Sequence, residues 1–341
     1  MTATTPTDAA AADAQPSAAP LLGRLASAQR RVPLLQIAVL IALVLYAGHL
    51  GGTYGWTSLI VPMLLLSTFL GIAGAGQTLV VLVGGLDLSI PAYIAVGDLL
   101  VAHLCGDDHW NFGAAALLIL VICAAGGTLS GFLCHRFALE PLVITLAMGS
   151  VVTGVLLGSN AQIFTGSTPQ WLQTFTATPS RTFGLPVPPA VVVWLVLAVV
   201  ITVVLARTAA GRKLYLTGSG PRAAQLARVR TGRVWASAYA CSAVLAGIAG
   251  ILLAGFSGSG DSSVGQQYLF ESLAAVIVGG TMMGGRGDYP RTVLGALIVI
   301  ELTTVILGLN LSAAAQQVVF GVLILLVVAL YGRERRLRDR V

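Results

Sequence analysis

Apolar residues run along this chain in long unbroken stretches divided by short polar joints, and that pattern dictates the elements. The stretches lack the period-two alternation of barrel strands, and about 20 apolar residues in a helix cross a bilayer core about 30 Å thick. About ten spans follow: Leu34–Leu50, Thr57–Gly74, Gln77–Leu104, Gly113–Leu133, Pro141–Gly158, Ala190–Ala206, Trp235–Phe256, Ser272–Met283, Thr292–Gly308 and Gln317–Tyr331. The predicted fold class is all-α, a polytopic transmembrane helical bundle. Two spans are irregular. The third carries Gly84, Gly85, Asp87 and Pro91, and the short eighth runs into Gly279, Gly280, Gly284, Gly285 and Gly287, so both are expected to be broken.

Composition agrees. Of the 341 residues 56% are hydrophobic and 9% charged, with a mean hydropathy of +0.89; a soluble domain carries about 25% charged residues. Too few polar groups exist to cover a water-facing surface, so lipid replaces water around most of the chain. Ten spans put both termini on one side, and that side then receives 18 of the 19 basic residues, only Arg181 falling opposite. By the positive-inside rule both termini are cytoplasmic, and the net charge of +6 reports topology, with no nucleic-acid partner implied. Residues 1–30, rich in Ala, Thr, Ser and Pro, read as a disordered cytoplasmic tail, 31–332 as the membrane domain and 333–341 as a basic cytoplasmic tail. The run from Val32 is too long for a signal peptide, so none is expected.

The largest cytoplasmic loop, about 208–234 with Arg207 at its edge, holds seven basic residues in this stretch. Pro221 suits a first helical position, and RAAQLARV supplies helix formers after it. Ala223, Ala224, Leu226 and Ala227 form a narrow face with Arg222, Gln225, Arg228 and Arg230 around it. Such a helix can dock in a groove of another protein or lie on anionic headgroups, and composition alone leaves both open. The external loop, about 159–189, carries Phe164, Trp171, Phe175 and Phe183, as a plug, a receptor for an external partner or an interfacial belt would.

Chemistry is scarce. No G-x-x-x-x-G-K-[ST] occurs and Lys213 is the single lysine, so the chain has no P-loop of its own. Gly255–Gly258 spells the G-x-S-G of an intramembrane serine protease, but His49, His103, His109 and His135 all precede it. Gly258–Asp261 spells G-x-G-D without an upstream Tyr-Asp pair, and both matches read as accidents of 40 glycines. Cys105, Cys123, Cys134 and Cys241 have no metal or disulfide spacing, so no metal site and no catalytic residue is expected. At membrane depth Asp87, Asp98, Glu271 and Glu301 stand out, because a charge there is costly. Asp98, Glu271 and Glu301 would suit a proton-coupled transporter or channel; Asp87 reads first as the cap of a helix restarting at Leu88. Val81–Gly85 matches Val276–Gly280 at four of five positions, and spans three and eight lie five apart, a spacing that would make an inverted repeat.

These motifs together resemble a known family. Gly84, Gly85, Leu86, Asp87, Leu88, Ser89 and Ile90 are similar to the G-G-[IL]-D-L-S-[VI] signature of permease subunits of ribose-type ABC importers, whose members include xylose, arabinose and galactose permeases. Gly218, Ala223, Ala224 and Leu226 align with that family's cytoplasmic G-x-N-x-x-A-A-x-x-x-G, and Leu273–Gly287 with its A-A-V-x-x-G-G-[TS]-x-x-G-G-x-G block. Gly220 stands where the family has Asn, and Arg228 where it has Gly. The resemblance implies a multi-pass subunit of a bacterial inner membrane that moves a monosaccharide by ATPase-driven alternating access. It would work as a homodimer in lipid, beside a separate ATPase that binds ATP and Mg and an extracytoplasmic solute-binding protein. Gly218, Gly220, Pro221, Arg222, Ala223, Ala224, Leu226, Ala227 and Arg228 would couple to the ATPase. Gly84, Gly85, Asp87, Ser89, Gly279, Gly280, Thr281, Gly284 and Gly285 would line the translocation route. Branched-chain amino acids, carried by a related permease group, are the alternative cargo.

Overall fold

The computed structural model describes residues 33–50, 56–158, 166–284, 287–312, 314–322 and 325. Both expected tails, Gly285 and most of the expected tenth span lie outside them. Within them the chain is helical: α1 (Leu34–Leu50), α2 (Trp56–Val83), α3 (Ile90–Ala102) continued by a wider turn over His103–Asp107, α4 (Phe112–Arg136), α5 (Pro141–Gly158), the short α6 (Gln170–Thr176), α7 (Pro189–Arg207), α8 (Ala209–Ser219), α9 (Pro221–Leu226), α10 (Thr231–Ser257), α11 (Tyr268–Gly279) and α12 (Tyr289–Gly308). Seven helical segments, α2 to α5 (α3 with its wider turn), α7, α10 and α12, are long and apolar enough to cross a membrane, while α1 and α11 are shorter.

The first correction concerns the second and third spans. The second does not stop at Gly74: α2 runs on for 28 residues to Val83, about 42 Å at 1.5 Å per residue. Gly71 and Gly76 do not end it because they sit inside the helix where Trp194 and Ser242 press against it. The break therefore falls between two helices, at Gly84–Ser89, and the third span starts only at Ile90, with Pro91 in its first turn.

Small residues set the core. Helix α10 packs along α2, α3 and α4, and a β-carbon on Gly250 would overlap the carbonyl oxygen of Ile94, as one on Gly97 would overlap that of Gly247. Such contacts bring backbones together where lipid supplies no hydrophobic drive. A side-chain relay locks a third direction: Trp194 Nε1 donates to Tyr289 Oη at 3.0 Å, and Tyr289 donates to the Gly71 carbonyl at 2.8 Å.

After α10 the chain turns back without a helix. Gly260 lies against Leu99 and Ala102, and Gly265 against Pro91, so this segment retraces α3 toward its N-terminal end before α11 begins. Asp98 fixes the retracing segment by accepting from the Asp261 amide at 2.6 Å. The short eighth span thus follows a non-helical return that touches α3 through Gly260 and Gly265, while Ser259, Asp261, Ser262, Ser263, Gln266 and Gln267 stay exposed. In the aromatic loop, Trp171 packs edge-on against Phe112 at 4.7 Å, whereas Phe183 is 95% exposed.

Candidate functional site

The break is built from backbone turns before any side chain enters. Helix α2 ends when Gly84, at φ +97°, donates to Val81 O at 3.0 Å and Gly85 donates to Val80 O at 3.0 Å. Helix α11 ends identically: Gly280, at φ +95°, donates to Ile277 O at 2.9 Å and Thr281 to Val276 O at 3.0 Å. Each pair of bonds is the six-to-one and five-to-two closure of a helix on a left-handed residue, for which glycine is suited. The sequence repeat is thus real as a turn but shifted by one residue, since Gly84 is the counterpart of Gly280 and not of Gly279. Its first copy also closes α2 and does not interrupt the third span, so the five-span offset argued from sequence does not apply. Gly284 N–H donates to Val81 O at 3.3 Å and joins the two ends.

Beyond Gly84 the extended stretch has its polar groups met by side chains from elsewhere, as buried backbone requires. Leu88 N–H donates to Thr145 Oγ1 at 3.1 Å, and Tyr239 Oη donates to Leu86 O at 3.3 Å. Buried Asp87 accepts from the Ser89 amide at 3.0 Å, from Ser89 Oγ, and from Ser242 Oγ at 2.7 Å. The carboxylate therefore closes the turn in front of Ile90 and bonds no amide of α3 itself; the helix restarts at Ile90, not at Leu88. Sequence reading missed Ser242 and Tyr239, for which only the tertiary fold gives a signal.

Asp87, Ser89, Gly279 and Thr281 are all buried in this conformation. Beside Asp87 and Ser89, at Leu88, lies a cleft of about 450 Å³ whose lining also includes Pro91, Ser150, Thr153 and Gln266; Gly279 and Thr281 do not line it. Ser150 and Thr153 belong to α5, one of the most exposed of the long helices.

The basic loop folds into α8 and α9, with Thr208 Oγ1 capping α8 through the Gly211 amide at 3.3 Å. Gly218 closes the last turn of α8 and Gly220 is the extended joint before Pro221. Helix α9 is only six residues long, and its expected face is corrected: Ala224 is buried inside this chain, while Arg222, Ala223, Ala227 and above all Leu226, 87% exposed, point outward. Its end repeats the turn of the membrane break. Arg228, at φ +56°, donates to Gln225 O and Val229 to Ala224 O, each at 2.9 Å. A glycine would suit this left-handed position, so the departure from the resembling motif falls where it costs backbone strain.

One bond connects surface to interior. Tyr215 on α8 donates its hydroxyl to Gly287 O at 2.8 Å, directly below the second glycine block. Burial, and then the negative charge of Asp288, push the Tyr215 phenol up from its usual value, so it remains a neutral donor. Asp288 caps α12 through the Arg291 amide at 3.0 Å, and its carbonyl accepts from Thr281 Oγ1 at 3.2 Å. Hydrogen bonds join Tyr215 to Gly287, Asp288 to Thr281, Gly284 to Val81 and Val81 to Gly84, and the backbone itself joins Gly287 to Asp288 and Thr281 to Gly284, so a continuous path runs from the basic loop to the break. The remaining carboxylates form no relay among the described residues: Asp98 holds Asp261, Glu271 accepts from Gln316 at 3.1 Å, and neither oxygen of Glu301 has a partner.

Residues 59–328 match the family described as branched-chain amino acid transport system / permease component. A fructose import permease protein of Rhizobium meliloti is 32% identical over 89% of this chain and 85% of its own length. A ribose import permease protein of Bacillus subtilis is 30% identical over 76% of this chain and 80% of its own. The ribose import permease protein of Escherichia coli K12 is 29% identical over 75% and 80%, respectively. No solved structure matches the chain significantly.

Proposed function

Because this chain belongs to the permease-component family of ABC importers, of the ribose and fructose import type, we propose that it carries a monosaccharide across a bacterial inner membrane by alternating access driven by a separate ATPase. The observation that carries this reading is the Tyr215–Gly287 bond, which couples the basic loop to the paired helix ends. A force on α8 and α9 reaches Gly284 and Val81 through the Tyr215 phenol and the Thr281 hydroxyl. Both termini and the basic loop face the cytoplasm, as the charge distribution argues. There Leu226, Ala223 and Ala227 seat in the ATPase, which binds ATP and Mg, while Ala224 anchors the helix to its own chain.

The route opens along the cleft between α3 and α5, shared with a second copy of this chain that supplies the missing wall. Helix α5 suits that packing. Ser150, Gly154 and Gly158 lie four residues apart on it, a small-residue spacing that favours close helix pairing in lipid. A sugar hydroxyl left unpaired costs about 2 kcal/mol or more, and Ser150, Thr153 and Gln266 are able to meet it. The same groups would do less for a branched aliphatic side chain, which together with the sugar-import relatives favours a sugar over a branched-chain amino acid. An extracytoplasmic solute-binding protein delivers the cargo and sets its identity.

Tyr215→Phe removes the bond and little volume. In proteoliposomes holding the permease, its ATPase and its binding protein, this variant is expected to hydrolyse ATP at least as fast as the unaltered complex while uptake falls about tenfold. Uptake in step with hydrolysis would sink the proposed coupling path.

A further inference from the structure

We propose that the chain holds an anionic phospholipid in a second cleft, of about 740 Å³, where α7, α8 and α10 meet. Its inner wall includes Leu79 and Val204, apolar residues of membrane-crossing helices, and its rim is Lys213, Arg228, Arg230 and Arg233. All four cations are exposed, and none makes an ion pair with a carboxylate among the described residues. The sequence leaves them no local counterion, because no Asp or Glu occurs between Glu140 and Asp261.

An apolar trough continuous with a lipid-facing helix, topped by uncompensated cations at the membrane edge, matches a molecule with a phosphate head and acyl tails. Basic pockets between membrane helices on the cytoplasmic side hold anionic headgroups for this reason. Free phosphate would use the rim and leave the wall bare. A zwitterionic lipid would fill the wall and leave the rim uncompensated. Both halves of the cleft are satisfied together only by an anionic phospholipid. The site stands apart from the translocation cleft and does not depend on which solute is carried.

The test uses the full chain purified with its ATPase, measuring retained lipid by native mass spectrometry after exchange into phosphatidylglycerol, phosphatidylcholine or inorganic phosphate. Phosphatidylglycerol is expected to be retained at least tenfold over phosphatidylcholine. That preference is expected to vanish in Lys213→Gln/Arg230→Gln/Arg233→Gln and to survive in the charge-preserving Lys213→Arg/Arg230→Lys/Arg233→Lys, which guards against misfolding. Val204→Trp, which fills the wall and spares the rim, is expected to release the lipid as well. Phosphate displacing phosphatidylglycerol at millimolar concentration, or Val204→Trp leaving retention unchanged, would overturn the lipid assignment in favour of a simple anion site. Loss of the ATPase, with lipid retention intact, in the glutamine variant would overturn it in favour of a protein interface.

Discussion

Helices α2 and α5 are equally apolar over their best 18-residue stretches, yet 72% of that stretch is buried in α2 and 11% in α5. Their glycines tell them apart. In the core, Gly76 faces the Ser242 backbone and Gly250 the Ile94 carbonyl, so an added methyl has nowhere to go. On α5, a β-carbon on Gly154 or Gly158 would meet nothing within 4 Å. Hydropathy measures only the wish to leave water, which lipid and protein satisfy alike. Close backbone approach shows which partner is already present, and an open glycine stripe on a helix marks a face that this chain leaves uncovered.

The comparison breaks most severely at the core. Gly250→Leu is expected to prevent stable folding, since overpacking against a backbone that cannot move exceeds the usual 1–3 kcal/mol; monodisperse protein in size-exclusion chromatography would contradict the packing described. Gly154→Leu sharpens the contrast. The monomer is expected to fold with unchanged thermal stability while crosslinking of paired copies and uptake both drop about tenfold, and a fully paired, active variant would remove α5 from the proposed interface between copies. The smallest effect lies outside the membrane. Arg228→Gly relieves a left-handed torsion worth about 1 kcal/mol and is expected to raise the unfolding midpoint slightly, Arg228→Asn less so, with scanning fluorimetry as the readout.

Much of this was legible in the sequence because lipid imposes long apolar runs. The short eighth span, the glycine blocks and the start of α9 at Pro221 were all there. The end of α2 was not, because Gly74 and Gly76 look like breakers until Trp194, Ser242 and Thr292 are seen crowding the helix. The face of α9 was misread at Ala224 because spacing gives a face but not what covers it. Ser242, Tyr239 and Tyr215 were invisible for a further reason: each acts on a residue far away in sequence, and a lone serine or tyrosine in an apolar run carries no pattern.

The hydrogen bond from Ser242 to Asp87 spans 155 residues, and that separation matters during synthesis. At roughly 5 to 20 residues per second, Asp87 emerges on the order of ten to thirty seconds before its partner. Through that interval the nascent carboxylate has only Ser89 beside it, so the loop after α2 waits in a half-satisfied state at the insertion machinery. The break at Gly84–Ser89 is therefore finished late, when α10 arrives and closes over chain made long before it.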